Sequence, residues 1–359
     1  MLKHAWKWAL MLAALAAALT VMVLWVGPKE TLEALQQVGL SAFLSVGALL
    51  AVTFVLQAAA WTVLNRVMGL RLGVLTALEA TVVALAGNIV TPTAHLGGEP
   101  LKVLFAGRRR GLPYEALAGT VLLGKYLETI SFVLVISLGT AICAVGLKDV
   151  LFRPPHLAWG IVLVSLGGLS LLATVVLTIA LLRRQTPLAG AAGLLSRLRI
   201  FPKFFDRLRH RAVKVELKVS QVFRREGKAI VPSFILYVLT HVAMFIKPLA
   251  FFYLGWKIPL GLPELSLFFL SSQMLLALQL MPSGVGTLDG GLFAMIALAG
   301  MAITAPQMAV FLLCIRFWDA AVVALGAVLA ARVGTGLLSG RKSAEAPGSD
   351  NGDGSAENA

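Results

Sequence analysis

The stretch NIVTPTAHLGGEPLK, from Asn88 to Lys102, interrupts a sequence that is otherwise strongly apolar. It contains two prolines, a pair of adjacent glycines, a histidine and a glutamate, which a helix facing lipid does not tolerate. Irregular backbone occurs at membrane depth only where protein or a water-filled cavity satisfies its polar groups. The stretch therefore predicts a broken membrane helix, and it decides how the remaining segments are arranged.

The composition is that of an integral membrane protein. Hydrophobic residues make up 58% of the 359 residues, charged residues 13%, and the mean hydropathy is +0.88. A soluble domain carries about 25% charged residues. We predict an all-α polytopic membrane protein in which no segment forms a separate soluble catalytic domain.

The formal net charge of +14 indicates either nucleic acid or an anionic membrane surface as the partner. The basic residues cluster between apolar runs with no base-stacking module among them, so the pattern favours membrane lipids and no nucleic acid. The two cysteines, Cys143 and Cys314, lie far apart in apolar segments. Neither a disulfide framework, a metal site nor a cofactor motif is predicted.

Six apolar runs are long enough to span the bilayer. The first also resembles a signal peptide, but its length and its end at Trp25 favour a retained anchor. Two shorter runs, at about 74–90 and 265–281, each lead into a polar, glycine-rich break. The full spans are predicted at about 8–26, 39–64, 116–145, 157–182, 230–254 and 305–331.

Basic residues near the span ends set the predicted orientation. Residues 183–228 contain 13 Lys and Arg against three acids. The protein is therefore predicted to lie in a bacterial inner membrane, with this linker and both termini on the cytoplasmic side. The linker is either an amphipathic interfacial helix or a solvated loop. The small, polar tail at 340–359 is predicted to be disordered.

The broken segment is predicted to be a re-entrant hairpin. If residues 74–90 crossed the membrane fully, the polar chain from 91 to 107 would have to cross back through lipid, or Arg108–Arg110 would be left outside. A hairpin that enters from the cytoplasm, turns near Pro92 and returns to Arg108 avoids both problems.

The second half repeats this pattern. PTAHLGGE at 92–99 corresponds to PSGVGTLD at 282–289, and KYLE at 125–128 corresponds to RFWD at 316–319. KYLE and RFWD each place a base and an acid on one helix face. Since the two units, 39–145 and 230–332, start from opposite sides, we predict an inverted repeat with a site near the midplane. The predicted divisions are 1–38, 39–182, 183–229, 230–339 and 340–359.

Ionisable residues within the membrane are candidate functional groups because burying them is costly. Their bases could hold an anionic head group while their acids hold an amine or relay protons; alternatively, the pairs are structural and tie down the hairpins. The sequence leaves both interpretations open, and it leaves open whether Asn88 lines a cavity or caps a helix. The candidate translocation-site residues are Asn88, Pro92, Gly97, Gly98, Glu99, Lys125, Glu128, Lys247, Pro282, Gly284, Gly286, Asp289, Arg316 and Asp319.

The order of these residues resembles the flippase-like family that includes the membrane region of lysylphosphatidylglycerol synthases. Its N-x-x-x-P…G-E segment corresponds to Asn88–Glu99, its basic [RK]-x-x-[DE] helix to Lys125–Glu128, and its P-x-G-x-G segment to Pro282–Gly286. The resemblance covers about residues 39–332 and implies an all-helical fold. It also implies movement of an aminoacylated or other polar lipid between leaflets, without the soluble synthase domain.

On these grounds we expect a lipid flippase-like transporter that is not an enzyme. Two alternatives remain: an intramembrane enzyme that modifies a lipid with the same acids, and a non-catalytic partner of a lipid biosynthetic enzyme. The expected partners are anionic or aminoacylated membrane lipids, together with a second copy of the chain or such an enzyme.

Overall fold

The regular structure of this chain is helical. The computed structural model describes residues 20, 23–91, 97–152, 157–183, 190, 213, 217, 221–223, 225–277 and 286–340, and no strand occurs among them. Helices predominate because a helix satisfies its backbone groups internally, as lipid requires. The helices are α1 (Pro28–Gln37), α2 (Gly39–Val67), α3 (Val74–Val90), α4 (Glu99–Arg110), α5 (Tyr114–Gly146), α6 (Lys148–Leu151), α7 (Leu157–Leu182), α8 (Gly227–Trp256), α9 (Leu262–Ala277), α10 (Thr287–Ala299) and α11 (Ala305–Gly340).

Five helices in the described part of the chain, α2, α5, α7, α8 and α11, are long and apolar enough to cross a membrane. They coincide with five of the six predicted spans, and the protein is a multi-pass, all-α membrane protein. The sixth predicted span, at about 8–26, lies outside the described residues except for residue 20 and its end at 23–26, which are helical.

The spans expose large apolar side chains on their outer faces. Leu138 of α5 is 62% exposed, and Leu169 and Leu172 of α7 are 62% and 60% exposed. In water such a surface would be strongly unfavourable, whereas lipid tails solvate it. These faces therefore mark the lipid-facing perimeter of the bundle.

Helices α3 and α4 form the first predicted hairpin. At its open end Arg109 pairs with Glu79 at 2.9 Å, and Arg110 donates a hydrogen bond to the hydroxyl of Thr76 at 3.0 Å. The last turn of α4 thus lies beside the first turns of α3. At about 1.5 Å per residue, the 12 residues of α4 are too short to cross the ~30 Å hydrocarbon core. This geometry agrees with the predicted re-entrant hairpin; its turn, residues 92–96 with Pro92, lies outside the described residues.

The closed end of this hairpin depends on small residues. A β-carbon at Gly98 would collide with the carbonyl oxygen of Ala84 in α3, and one at Gly87 would lie 3.1 Å from the Cα of Gly98. The φ of Gly98 is −83°, a conformation open to any residue. The need for glycine at 98 therefore comes from close helix packing and not from a tight turn.

Helices α9 and α10 pack against each other as the second pair. They contain 16 and 13 residues, close to the 17 and 12 of α3 and α4. The break between them, residues 278–285 with Pro282 and Gly284, lies outside the described residues.

The two halves pack around a central pair of long helices, and a span of each half contacts the hairpin of the other half; we call this exchange packing. Helix α2 runs along α8, where the hydroxyl of Ser233 donates to the carbonyl of Ala60 at 3.1 Å. Helix α11 packs on α3 of the first half, and α5 packs on α9 of the second. The last span of each half thus covers the hairpin of the other. This pattern supports a two-fold repeat, while its inverted orientation remains a prediction.

Most of the predicted linker lies outside the described residues. Its C-terminal end reaches the bundle, because Val222 and Phe223 pack against a buried cluster containing Leu64, Leu127 and Tyr237. The chain divisions proposed from the sequence remain predictions.

The inverted orientation can be tested by labelling single cysteines from one side of the membrane. Glu115, at the start of α5, and Ala305, at the start of α11, are both exposed. After Cys143 and Cys314 are replaced by alanine, Glu115→Cys should react with an impermeant maleimide only from the cytoplasmic side. Ala305→Cys should react only from the outer side. Labelling of both positions from the same side would contradict the inverted repeat.

The packing role of Gly98 predicts that Gly98→Ala destabilises the protein by about 1–3 kcal/mol, the usual effect of overpacking. Gly168→Ala is the matched control, because a β-carbon there meets nothing within 4 Å. In a mid-helix position this control should be neutral or slightly stabilising. The measurement is the melting temperature of the detergent-solubilised protein, and equal melting of the two variants would contradict the packing argument.

Candidate functional site

The first candidate site is an ion cluster that joins the first hairpin to α5. The ammonium of Lys125 lies 2.9 Å from the carboxylate of Glu99, at the start of α4, and 2.9 Å from that of Glu128, one turn further along α5. All three side chains are partly shielded, with 17–27% of their surface exposed. The predicted base and acid at i, i+3 thus become one base held between two acids.

The second half contains a matching cluster that is buried more deeply. Arg316 of α11 donates to Asp289 of α10 at 2.7 Å and lies 3.4 Å from Asp319, one turn further along α11. Only 4% of the Arg316 side chain and 9% of the Asp289 side chain are exposed. Asp289 also accepts a hydrogen bond at 3.0 Å from the backbone N–H of Gly286, whose φ is +82°. Here glycine is needed for its conformation, because other residues rarely adopt this φ.

Asn88 closes the first hairpin. Its side-chain oxygen accepts a hydrogen bond from the backbone N–H of Gly98 at 2.6 Å. This bond links the last turn of α3 to the N-terminus of α4, and it sets the position of Glu99 in the following residue. Asn88 also lines both cavities described next.

Two adjoining cavities lie beside the clusters. The larger, of about 360 Å³, is lined by Glu99, Lys125 and Glu128. The smaller, of about 170 Å³, is lined by Arg316 and Asp319 together with Lys247. Ligand sites of this kind combine an apolar wall with a few converging polar groups. Side chains common to both linings include Gln57, Leu85, Asn88, Met244, Gln273 and Leu276.

Three titratable residues of the larger cavity were not among the predicted site residues. Lys102 lies one turn after Glu99 on the same face of α4, a spacing that could have indicated its position. Tyr237 and His241 come from α8, and His241 Nε2 lies 3.4 Å from the backbone oxygen of Glu128. His241 is an ionisable residue within an apolar span, the same signal by which Lys247 was selected, whereas Tyr237 has no such signal. Packing of α8 against α5 brings both to the cavity.

Lys102 is placed by an aromatic ring. It is 8% exposed, and its ammonium lies 4.6 Å from the ring centroid of Trp61 in α2. Trp61 is fully buried, and its indole N–H donates to the hydroxyl of Thr120 at 2.9 Å. Burial and this hydrogen bond hold the Trp61 ring in position beside the lysine ammonium.

The structure brings the predicted site residues together only in part. Glu99, Lys125 and Glu128 form one cluster, Asp289, Arg316 and Asp319 the other, and Lys247 lies at the smaller cavity. Gly97 lies at the start of the described chain after the first break and is partly buried. Pro92, Pro282 and Gly284 lie outside the described residues.

The geometry shows how the acids and bases act structurally, and it leaves them in contact with the cavities. Each base bonds an acid of the hairpin and an acid of its own helix, so the pairs tie the hairpins to the following spans. Glu99, Lys125, Glu128, Arg316 and Asp319 also line the cavities. In the described ranges, no group of three or more His, Cys, Asp or Glu could hold a metal ion.

Comparison with known proteins identifies a family. A family model described as the lysylphosphatidylglycerol synthase TM region matches residues 8–327, nearly the whole chain. A UPF0104 membrane protein from Methanothermobacter thermautotrophicus is 27% identical over 132 residues, which cover 37% of this chain and 38% of that protein. The aligned part is thus less than half of that relative's length. No solved structure gives a significant match.

The burial of the second cluster predicts that Asp289→Asn destabilises the protein by about 3–5 kcal/mol, because it removes one partner of a buried ion pair. Asp319→Asn is the matched control. Its carboxylate lies further from Arg316 and is 24% exposed, so the loss should be smaller. Melting temperatures in detergent measure both effects. A larger loss for Asp319→Asn would show that Asp289 is not the main partner of Arg316.

Proposed function

The chain belongs to the family of the lysylphosphatidylglycerol synthase transmembrane region, and on that premise we propose that it moves a polar membrane lipid between leaflets. The observation that carries the proposal is the pair of adjoining cavities within the helical bundle, each lined by an ion cluster. The membrane family itself indicates only a link to lipid modification or transport.

In this proposal the head group occupies the cavities while the acyl chains remain in lipid. The bundle perimeter is apolar, whereas charged side chains line the cavities, so the two parts of a lipid each meet a matching environment. Carrying the head group through the protein avoids exposing its charge to the hydrocarbon core, where a charged side chain costs about 2.5–3.5 kcal/mol on insertion scales.

Movement of one half against the other would open the cavities alternately to the two leaflets. The exchange packing supports this motion, because α11 contacts the first hairpin and α5 the second. A shift of either long span then displaces the opposite hairpin together with its acid. Transporters built from broken helices and repeats commonly work by such rocking around a fixed site.

We propose that this transport involves binding and movement without covalent chemistry on the lipid. The proposed location is the bacterial plasma membrane with both termini cytoplasmic. The proposed substrates are anionic or aminoacylated lipids.

The proposal predicts the effect of Glu99→Gln on transport in proteoliposomes. Wild type should accelerate the exchange between leaflets of labelled phosphatidylglycerol or its lysyl ester, but not of a neutral lipid. Glu99→Gln should slow it about tenfold, since a charged contact at the cavity is lost. The protein should remain folded, because Lys125 keeps Glu128 as its second partner.

Glu79→Gln is the matched control. Glu79 also forms an ion pair on the first hairpin, with Arg109, but it lines neither cavity. This variant should transport at the wild-type rate. Full transport by Glu99→Gln would contradict the role of that acid. Folded wild type that moves none of the lipids but produces a new lipid species would favour the enzyme alternative.

A further inference from the structure

The bases of the two clusters are already held by acids. Lys125 has carboxylate oxygens of Glu99 and Glu128 at 2.9 Å, and Arg316 is bonded to Asp289 and contacts Asp319. For either base to bind an anionic ligand, one of these bonds would have to break. In the case of Arg316 this would leave a buried carboxylate without its partner, which is strongly unfavourable.

Two other lysines lie at the cavities without an ion-pair partner among the described residues. Lys102 lines the larger cavity and Lys247 the smaller. No carboxylate oxygen of the described residues lies within the 4.0 Å ion-pair distance of either ammonium. Each cavity thus contains one ammonium that forms no ion pair within this part of the chain.

The surroundings of Lys102 hold a cation and leave it able to bind an anion. The Trp61 ring attracts the ammonium from one face, by about 0.5–2 kcal/mol. A ring cannot accept all three N–H donors of an ammonium, and the cavity lies beside the remainder. An ammonium is a compact charge that suits phosphate oxygens.

The repeat does not explain why each cavity has such a lysine. With the sequence offset of 190 that relates Glu99 to Asp289, Lys102 corresponds to Leu292 and Lys247 to Gln57. The two lysines therefore arise at unrelated positions, one on a hairpin and one on a central helix. Added to the nearby ion cluster of two acids and one base, each lysine makes the numbers of acids and bases equal.

We propose that the ammonium groups of Lys102 and Lys247 bind the phosphate of the lipid head group, one in each cavity. The ion clusters meanwhile hold the hairpins in place. This inference rests on the proposed transport function and assigns its phosphate contacts to residues other than the paired bases. Lys102 receives the phosphate over Trp61, and Lys247 receives it in the smaller cavity, beside Asp319.

The test measures binding to the purified full-length chain in detergent by isothermal titration calorimetry. The probes are short-chain phosphatidylglycerol, a short-chain glycosyl diacylglycerol without phosphate, and inorganic phosphate. Wild type should bind the first most tightly. Lys102→Gln and Lys247→Gln should each weaken that binding about tenfold, the effect of losing one charged hydrogen bond.

Lys257→Gln is the matched control. Lys257 also lies over an aromatic ring, 5.2 Å from that of Tyr253, but it is exposed and lines neither cavity. Its replacement should leave binding unchanged. Lys102→Met, an apolar side chain of similar length, replaces Lys102→Gln if the latter does not fold, and melting temperatures establish that each variant is folded.

A folded double variant, Lys102→Gln with Lys247→Gln, that binds phosphatidylglycerol as tightly as wild type would overturn the proposal. Equally tight binding of the phosphate-free lipid by wild type would overturn it too. Inorganic phosphate bound as tightly as the lipid would identify a site for a soluble anion instead. Transport separates this inference from the proposed function. Wild type that binds through the lysines but moves no lipid contradicts only the function. Variants that still transport phosphate lipids selectively contradict only the inference.

Discussion

The rest of the site depends on the bond between an acid at the start of a short hairpin helix and a base within the following long span. Glu99 meets Lys125 in the first half, and Asp289 meets Arg316 in the second. Neither short helix can span the bilayer, so its depth and tilt must be set by its neighbours. In an apolar environment a charge-assisted hydrogen bond is strong and directional. These two bonds therefore fix where each hairpin ends and where its cavity begins.

Exchange packing then joins the two clusters into one arrangement. Because α11 contacts α3 and α5 contacts α9, each hairpin is bonded to its own half and covered by the other. The cavities lie between these contacts, next to the central pair α2 and α8. In each half the charged cluster bonds the hairpin to the following span, and a span of the other half covers that hairpin. Polar groups are thereby accommodated within an apolar bundle.

Much of the fold follows from the lengths of the apolar runs and the positions of the proline- and glycine-rich breaks. Span-length apolar runs, the two short runs before the glycine-rich breaks, and the base–acid spacing of Lys125–Glu128 predicted the helices and the residues of both clusters. The contact of Glu99 with Lys125 could not be predicted, because it depends on the path of residues 91–98 in space. Lys102 was missed although it lies one turn after Glu99 on the same face of α4, because the spacing alone does not show that this face lines a cavity. The close approach of Gly98 to the backbone of Ala84 likewise depends on how α3 and α4 pack in space.

The partition between the cavities is made of amides and apolar side chains. Gln57, Asn88 and Gln273 contribute its polar groups, and all three are neutral at any physiological pH. Amide groups both donate and accept hydrogen bonds, so the amides of Gln57 and Gln273 can contact an anion or a cation, while the oxygen of Asn88 is held by the N–H of Gly98. Charged side chains thus occur in the separate part of each lining, while the side chains common to the two linings carry no charge.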